Sequence, residues 1–290
     1  MSQHSVILVP TDFSHVAECA IVHASVIAHK SGDEVKLLHV IKESKGEHEE
    51  VDLRIKLEAK LESQCTYYGE KYGVRFDYII REGSIFTTIG EVSDEIRASL
   101  ILMGTHGVKG VQHITGAWAL RVIATSKVPV IVVQNKLPQH EDEYRILAPI
   151  DDTIESKQKT SHTITLAKTM NARVYLFDAH SDDEAFENRV KHNAAFIKRH
   201  LEENEIRDIE AEQENKNGDF AKDFIKYAKD ISADLIVIVT TADKGIKDFF
   251  LGPIEQQIIN NDEQIPVMCV NPLQRIYKVE RLKGISGHAF

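Results

Sequence analysis

Cysteine is scarce. Cys19, Cys65 and Cys269 are too few and too scattered for a disulfide framework or a zinc site. No apolar run reaches the length needed to cross a bilayer, so no membrane partner is expected. The N-terminus MSQHSVILVPTDF has no basic start and passes straight into a strand-like run, so it is not read as a signal peptide and the expected location is cytoplasmic. Positive charge is also in deficit: 35 Lys+Arg face 45 Asp+Glu, a net −10, most of it after residue 139. Neither half offers the basic surface that duplex nucleic acid requires. The locally basic end, RIYKVERLKG, reads as a solvated tail. A GxSxG elbow is absent, which leaves a serine hydrolase unsupported. The 14 histidines invite a metal, but His15, His23 and His29 are spaced by eight and six residues and do not place neighbouring ligands on one helix face.

What is present is a repeat. ILVPTD at 7–12 returns as ILAPID at 146–151, an offset of 139. Without a gap, His23 then falls on His162, Val35 on Val174 and Leu37 on Leu176; farther on, SLILMG (99–104) matches DLIVIV (234–239) and VPVIVV (128–133) matches IPVMCV (265–270). A period of this length is a domain duplication. The boundaries expected are 1–138 and 144–272, joined by a polar, proline-containing linker, with 273–290 as a tail. Strands are expected near 5–10, 35–41, 75–81, 99–103 and 129–133, then 145–150, 173–179, 207–213, 234–239 and 266–270. These are short continuous apolar runs, as strands covered on both faces show. Helices are expected between them. Ser14 caps the first, which ends near Gly32; the second, about 47–72, has Val51, Ile55 and Leu57–Leu61 on one side. Such alternation implies a doubly wound parallel sheet in each half.

In these sheets ligands sit beyond the carboxyl ends of the strands. After the fourth strand comes Gly104-Thr105-His106-Gly107-Val108-Lys109, running on to Gly116-Ala117-Trp118. A glycine-bearing loop into a helix can turn backbone N–H groups and the helix dipole on an anion. Gly104 and Gly107 leave room for phosphate oxygens, and Lys109 adds a charge partner.

PTDFS, LLHV, REGS, LILMGTHG and the closing KVPVIVV, in that order, resemble the universal stress protein family over about 5–135. APIDDT, LIVIVTTAD, FFLGP and IPVMCV resemble it again, more weakly, over about 144–272. The resemblance implies two tandem doubly wound five-stranded parallel-sheet domains, Rossmann-like and adenine nucleotide alpha hydrolase-like. It further implies ATP, with Mg, as ligand of the ATP-binding members, through a Gly-x2-Gly-x9-Gly-Ser/Thr motif. By position, Asp12 would contact adenosine, Pro10 and Val40 would line the adenine pocket, and Met103 and Gly104 would border it. His106, Gly107 and the Gly116 region would face ribose and phosphates.

The sequence departs from that motif. Eight residues, not nine, separate Gly107 from Gly116; Ala117 replaces the Ser/Thr hydroxyl, and bulky Trp118 follows. In the second half Val239 and Ala242 stand at the first two glycine places, Pro253 at the Ser/Thr place, and Asp243 would repel phosphate. Pro253 has no N–H to offer. The expectation is a stress-response regulator, not an enzyme, with adenine nucleotide in the first domain only and a non-binding second domain. Family dimers pair through the terminal edge strand, so 130–133 and 267–270 are expected to pair within one chain, leaving a protein partner and a homodimer of such chains as further associations. The alternatives are a non-nucleotide interaction protein and a slow ATPase.

Overall fold

The structure is a computed structural model that describes residues 5–41, 47–105, 117–139, 143–206, 208–210, 219–242 and 249–272. The first half runs β1 (Val6–Pro10), α1 (His15–Ser31), β2 (Glu34–Ile41), α2 (Glu47–Tyr72), β3 (Phe76–Glu82), α3 (Ile85–Glu95), β4 (Leu100–Gly104), α4 (Ala117–Thr125) and β5 (Val130–Val133). The second runs β6 (Arg145–Ile150), a 3-10 turn at Glu155–Lys157, α5 (Thr160–Met170), β7 (Arg173–Asp178), α6 (Glu184–Glu203), β8 (Asp208–Glu210), α7 (Phe220–Asp230), β9 (Leu235–Val239), β10 (Thr241–Ala242), β11 (Phe249–Phe250), α8 (Pro253–Ile259) and β12 (Val267–Val270). Ser14 Oγ accepts the Ala17 N–H to cap α1, and Gly32 closes it at φ 77, both as expected.

Ten of the strands form one sheet in the order β3-β2-β1-β4-β5-β12-β9-β6-β7-β8. Each half contributes five parallel strands, and β5 and β12 join them antiparallel, with Val267 opposite Val132 and Met268 opposite Ile131. The expected pairing of 130–133 with 267–270 is therefore present. Alternate side chains feed two apolar layers. Ile7, Val9, Ile131, Val133, Met268 and Val270 face α1, α2, α5 and α6. Leu8, Val130, Val132, Val267 and Cys269 face α3, α4, α7 and α8. Both layers run unbroken from one half into the other.

The residue after each joining strand secures the opposite half. Gln134 Nε2 donates to the Asn261 and Ile259 carbonyls at 3.0 and 3.4 Å, at the end of α8. Asn271 Nδ2 donates to the Ile123 and Ser126 carbonyls at 2.6 and 2.8 Å, at the end of α4. Each amide adds a donor to carbonyls at or just beyond a helix end, where intrahelical partners run out. The exchange is reciprocal, as a twofold arrangement of two like domains requires. In the linker, the Lys136 carbonyl accepts from His23 Nε2 at 2.9 Å and the Asn135 carbonyl from the Cys19 thiol at 3.7 Å.

Two local expectations are corrected, and one element is new. Ile55 is 58% exposed and Leu53 46%, so the apolar side of α2 is buried only from Leu57 and Leu61 onward. The strand expected at 207–213 is the three-residue β8, and 211–218 lie outside the described residues. The β10–β11 ribbon, an antiparallel pair, carries no sequence signal of its own.

Candidate functional site

Three neighbouring strands, β2, β1 and β4, bring their carboxyl ends together at one edge of the first half. Pro10 follows Leu8 by two residues, Val40 follows Leu38, and Met103 follows Ile101, so strand alternation puts all three on the α3/α4 face. Met103 is 8% exposed, while Pro10 and Val40 are half-buried. Asp12 stands beyond β1 and is exposed. Its Oδ1 accepts the Ser14 N–H at 2.9 Å, a short-range turn that holds one carboxylate oxygen in place. Four of the residues expected at a nucleotide site thus converge here.

The same edge holds two residues outside the expected site set, Phe13 and His39. Phe13 takes a left-handed backbone, φ 64, which a bulky residue adopts only under constraint. Its ring lies 4.8 Å from that of His39, and the Lys60 ammonium sits 4.0 Å from its centroid. His39 Nδ1 donates to the Thr11 carbonyl at 2.8 Å, and Thr11 Oγ1 accepts the Phe13 N–H at 3.1 Å. An aromatic next to PTD and a histidine ending LLH were the available signals, but helix and strand patterns do not pair them.

Gly104 has a different neighbour from the one expected. A Cβ there would lie 2.5 Å from the carbonyl carbon and oxygen of Val16 and 2.8 Å from the Ala17 nitrogen. The bare face of Gly104 is therefore filled by the first turn of α1, on the opposite side of the sheet from Met103. Gly104→Ala should destabilise the protein by roughly 2 kcal/mol, since backbone can yield only by moving α1. A chemical-denaturation midpoint equal to wild type would show that α1 does not press on this strand. His106, Gly107, Lys109 and Gly116 lie outside the described residues. Ala117 and Trp118 open α4.

The second half differs in matching detail. Val239, half-buried, replaces Gly104. Where α1 begins three residues after Asp12, the second half has a 3-10 turn and α5 begins only at Thr160. Position 239 thus carries the side chain that Gly104 lacks. Asp151 Oδ1 accepts the Thr153 N–H at 2.8 Å, and Asn193 Nδ2 donates to the Asp151 and Thr153 carbonyls, both at 2.8 Å. Lys159 is 3% exposed and donates to the Ser156 carbonyl at 2.8 Å and to its hydroxyl at 3.1 Å. Burial pushes this ammonium down to about 8, against the pull of Asp151. Arg189 engages Asp152 through Nε and Nη2 at 2.9 and 2.8 Å. On the α7/α8 face Phe177 meets Phe220 and Phe224 edge-on at 5.7 and 5.4 Å. Aromatic side chains thus fill the layer where the first half has Leu38 and Ile89.

Among the described residues, no group of three or more His, Cys, Asp or Glu could hold a metal ion, and no helix is long and apolar enough to cross a membrane. Cys19 and Cys269 are buried and Cys65 half-buried, all free thiols whose pKa is raised chiefly by burial.

Known proteins agree with this architecture. A universal stress protein of Methanocaldococcus jannaschii is 33% identical over 144 residues, 47% of this chain and 84% of that protein. A second from the same organism is 28% identical over 45% of this chain and 94% of its own length. A crystallised universal stress protein from Archaeoglobus fulgidus shares the fold across 93% of this chain and 99% of its own, with TM-score 0.75 at 17% identity. Another solved universal stress protein, aligned with 47% of this chain and 100% of its own at 19% identity and TM-score 0.39, is in complex with cAMP. The model of the universal stress protein family matches residues 4–134 and again 144–271, and this chain, with two such domains in tandem, belongs to that family.

Proposed function

We propose that this protein is a cytoplasmic, non-enzymatic stress-response regulator that binds an adenine nucleotide, ATP with Mg, in domain 1 (residues 1–138). Domain 2 (residues 144–272) serves as a covalent pairing partner that does not bind. The observation that carries this reading is the difference between the two edges. In domain 1 an exposed, locally held carboxylate, Asp12, adjoins Pro10, Val40 and Met103 on one sheet face. Apolar side chains beside a few oriented polar groups are the ordinary makeup of a small-molecule site. In domain 2 the turn after the first strand is built differently: Arg189 holds Asp152, and Lys159 lies under the Asp151 turn. The sequence at the second glycine place reads Ala242-Asp243, and an acidic residue in such a motif disfavours phosphate.

The shortened loop and Ala117 weaken the phosphate side of domain 1 without abolishing it. One lost hydrogen bond to a charged group costs about 1.5–3 kcal/mol. Calorimetric titration of the whole chain with MgATP should give one site per chain. Asp12→Ala should weaken it at least tenfold, and Asp151→Ala should leave it unchanged. At a hundredfold excess over Kd the ligand should stabilise the fold by about 2.7 kcal/mol. No heat and no stabilisation at millimolar MgATP would replace this reading with that of an interaction protein. ADP released at a steady rate would make the protein a slow ATPase.

A further inference from the structure

The turn that carries Asp12 is restrained by a set of specific hydrogen bonds and ring contacts, beyond the packing of Phe13 on the core. Its first residue, Thr11, donates its N–H to the Leu38 carbonyl at 2.8 Å, so β2 continues the ladder past the end of β1. The Thr11 carbonyl accepts from His39 Nδ1 at 2.8 Å. A carbonyl only accepts, so Nδ1 carries the hydrogen and the neutral ring keeps its lone pair on Nε2. The Thr11 hydroxyl takes the Phe13 N–H, and Asp12 Oδ1 takes the Ser14 N–H. Phe13 is thereby pinned in the left-handed region, a conformation that is unfavourable for a residue with a Cβ. Its ring is kept there by His39 at 4.8 Å and by the Lys60 ammonium of α2 at 4.0 Å.

We propose that His39 and Phe13 are positioning residues for adenine-nucleotide binding: by holding the Thr11 carbonyl and the left-handed step after Asp12, they fix where the Asp12 carboxylate points. This rests on the reading of domain 1 as the nucleotide site. Locally strained backbone that surrounding groups over-determine is how proteins preorganise a polar contact. The counterpart in domain 2 lacks the device, because Asp152 and Asp178 stand at the positions of Phe13 and His39.

The test uses the full chain, with MgATP affinity measured by calorimetry well below each variant's melting temperature. His39→Leu removes the donor and should weaken binding at least fivefold. His39→Asn presents an amide N–H at a similar reach from the same strand position and should bind within twofold of wild type. Phe13→Gly accepts φ 64 without the ring and should lose affinity as His39→Leu does, and it remains informative if the leucine variant fails to fold. In the free protein, nitrogen NMR should find His39 protonated at Nδ1 when neutral. Wild-type affinity in both His39→Leu and Phe13→Gly, or no rescue by His39→Asn, overturns the proposal while leaving domain 1 a nucleotide site. No MgATP binding by the wild-type protein overturns both.

Discussion

Ile131→Asp should lower the stability of the whole chain by about 4 kcal/mol or more, and of both domains together. Ile131 is 2% exposed, lies between Leu102 of β4 and Met268 of β12, and belongs to the apolar layer that spans both halves. An aspartate there has two options. It can stay ionised without a partner, which a low-dielectric site does not tolerate, or it can bind a proton at the expense of the folded state. Burying an unpaired charge is among the few mechanisms that produce losses of this size. The effect should be shared because β5 and β12 are one ladder and the helices of both halves pack on it. Urea unfolding followed by circular dichroism should show one transition in the wild type, displaced as a whole in the variant. A variant in which one half keeps its wild-type midpoint would mean that the domains are stable separately and merely abut.

Acid should remove about 3 kcal/mol through a single histidine. His23 is 5% exposed on α1 and donates from Nε2 to the linker carbonyl of Lys136. Burial pushes its pKa down to about 4; the Lys136 carbonyl opposes the shift and the Lys136 charge adds to it. The unfolded chain, with an ordinary histidine near 6.5, binds the proton first. Between those values the unfolded state carries more protons, so stability rises with pH. The contribution is complete above about 6.5 and is lost as pH falls toward 4, at about 1.4 kcal/mol per unit. His23→Gln keeps a donor for the Lys136 carbonyl and cannot titrate. Its stability profile should run flatter than wild type over that window and coincide with it in shape above pH 7. Parallel profiles would place the proton elsewhere, His162 being the first candidate, since burial lowers it as well.

Much of this architecture was legible from local pattern. The central strands announce themselves as short apolar runs because a parallel sheet covered on both faces demands apolar residues there, whereas β3 and β8, at the two ends of the sheet, are mixed or polar, FDYIIRE and DIE. The α1 caps follow from Ser14 and Gly32, whose chemistry is local. The β5–β12 pairing could be anticipated only through the family resemblance, since relatives pair through their terminal strands. The same resemblance, carried over by position, named Pro10, Asp12, Val40 and Met103, which the strand ends bring to one edge.

Other features depend on distances that no periodicity contains. The 26 residues of α2 span about 39 Å, against about 26 Å for the eight of β2. The apolar stripe of α2 therefore outruns the layer beneath it, which leaves Ile55 exposed. Gly104 looks like part of a phosphate loop in sequence, yet the backbone of Val16 lies where its Cβ would be. Phe13 and His39, 26 residues apart, become partners only when β1 and β2 are in register. The second half opens with a 3-10 turn and α5 begins only at Thr160, a difference that the repeat in the sequence does not announce. Composition and pattern thus determine the kind of sheet and its duplication, because those depend on each residue's own preferences. Close approach, register and the restraint of the Asp12 turn belong to tertiary structure, because they depend on which distant atoms occupy the same few ångströms.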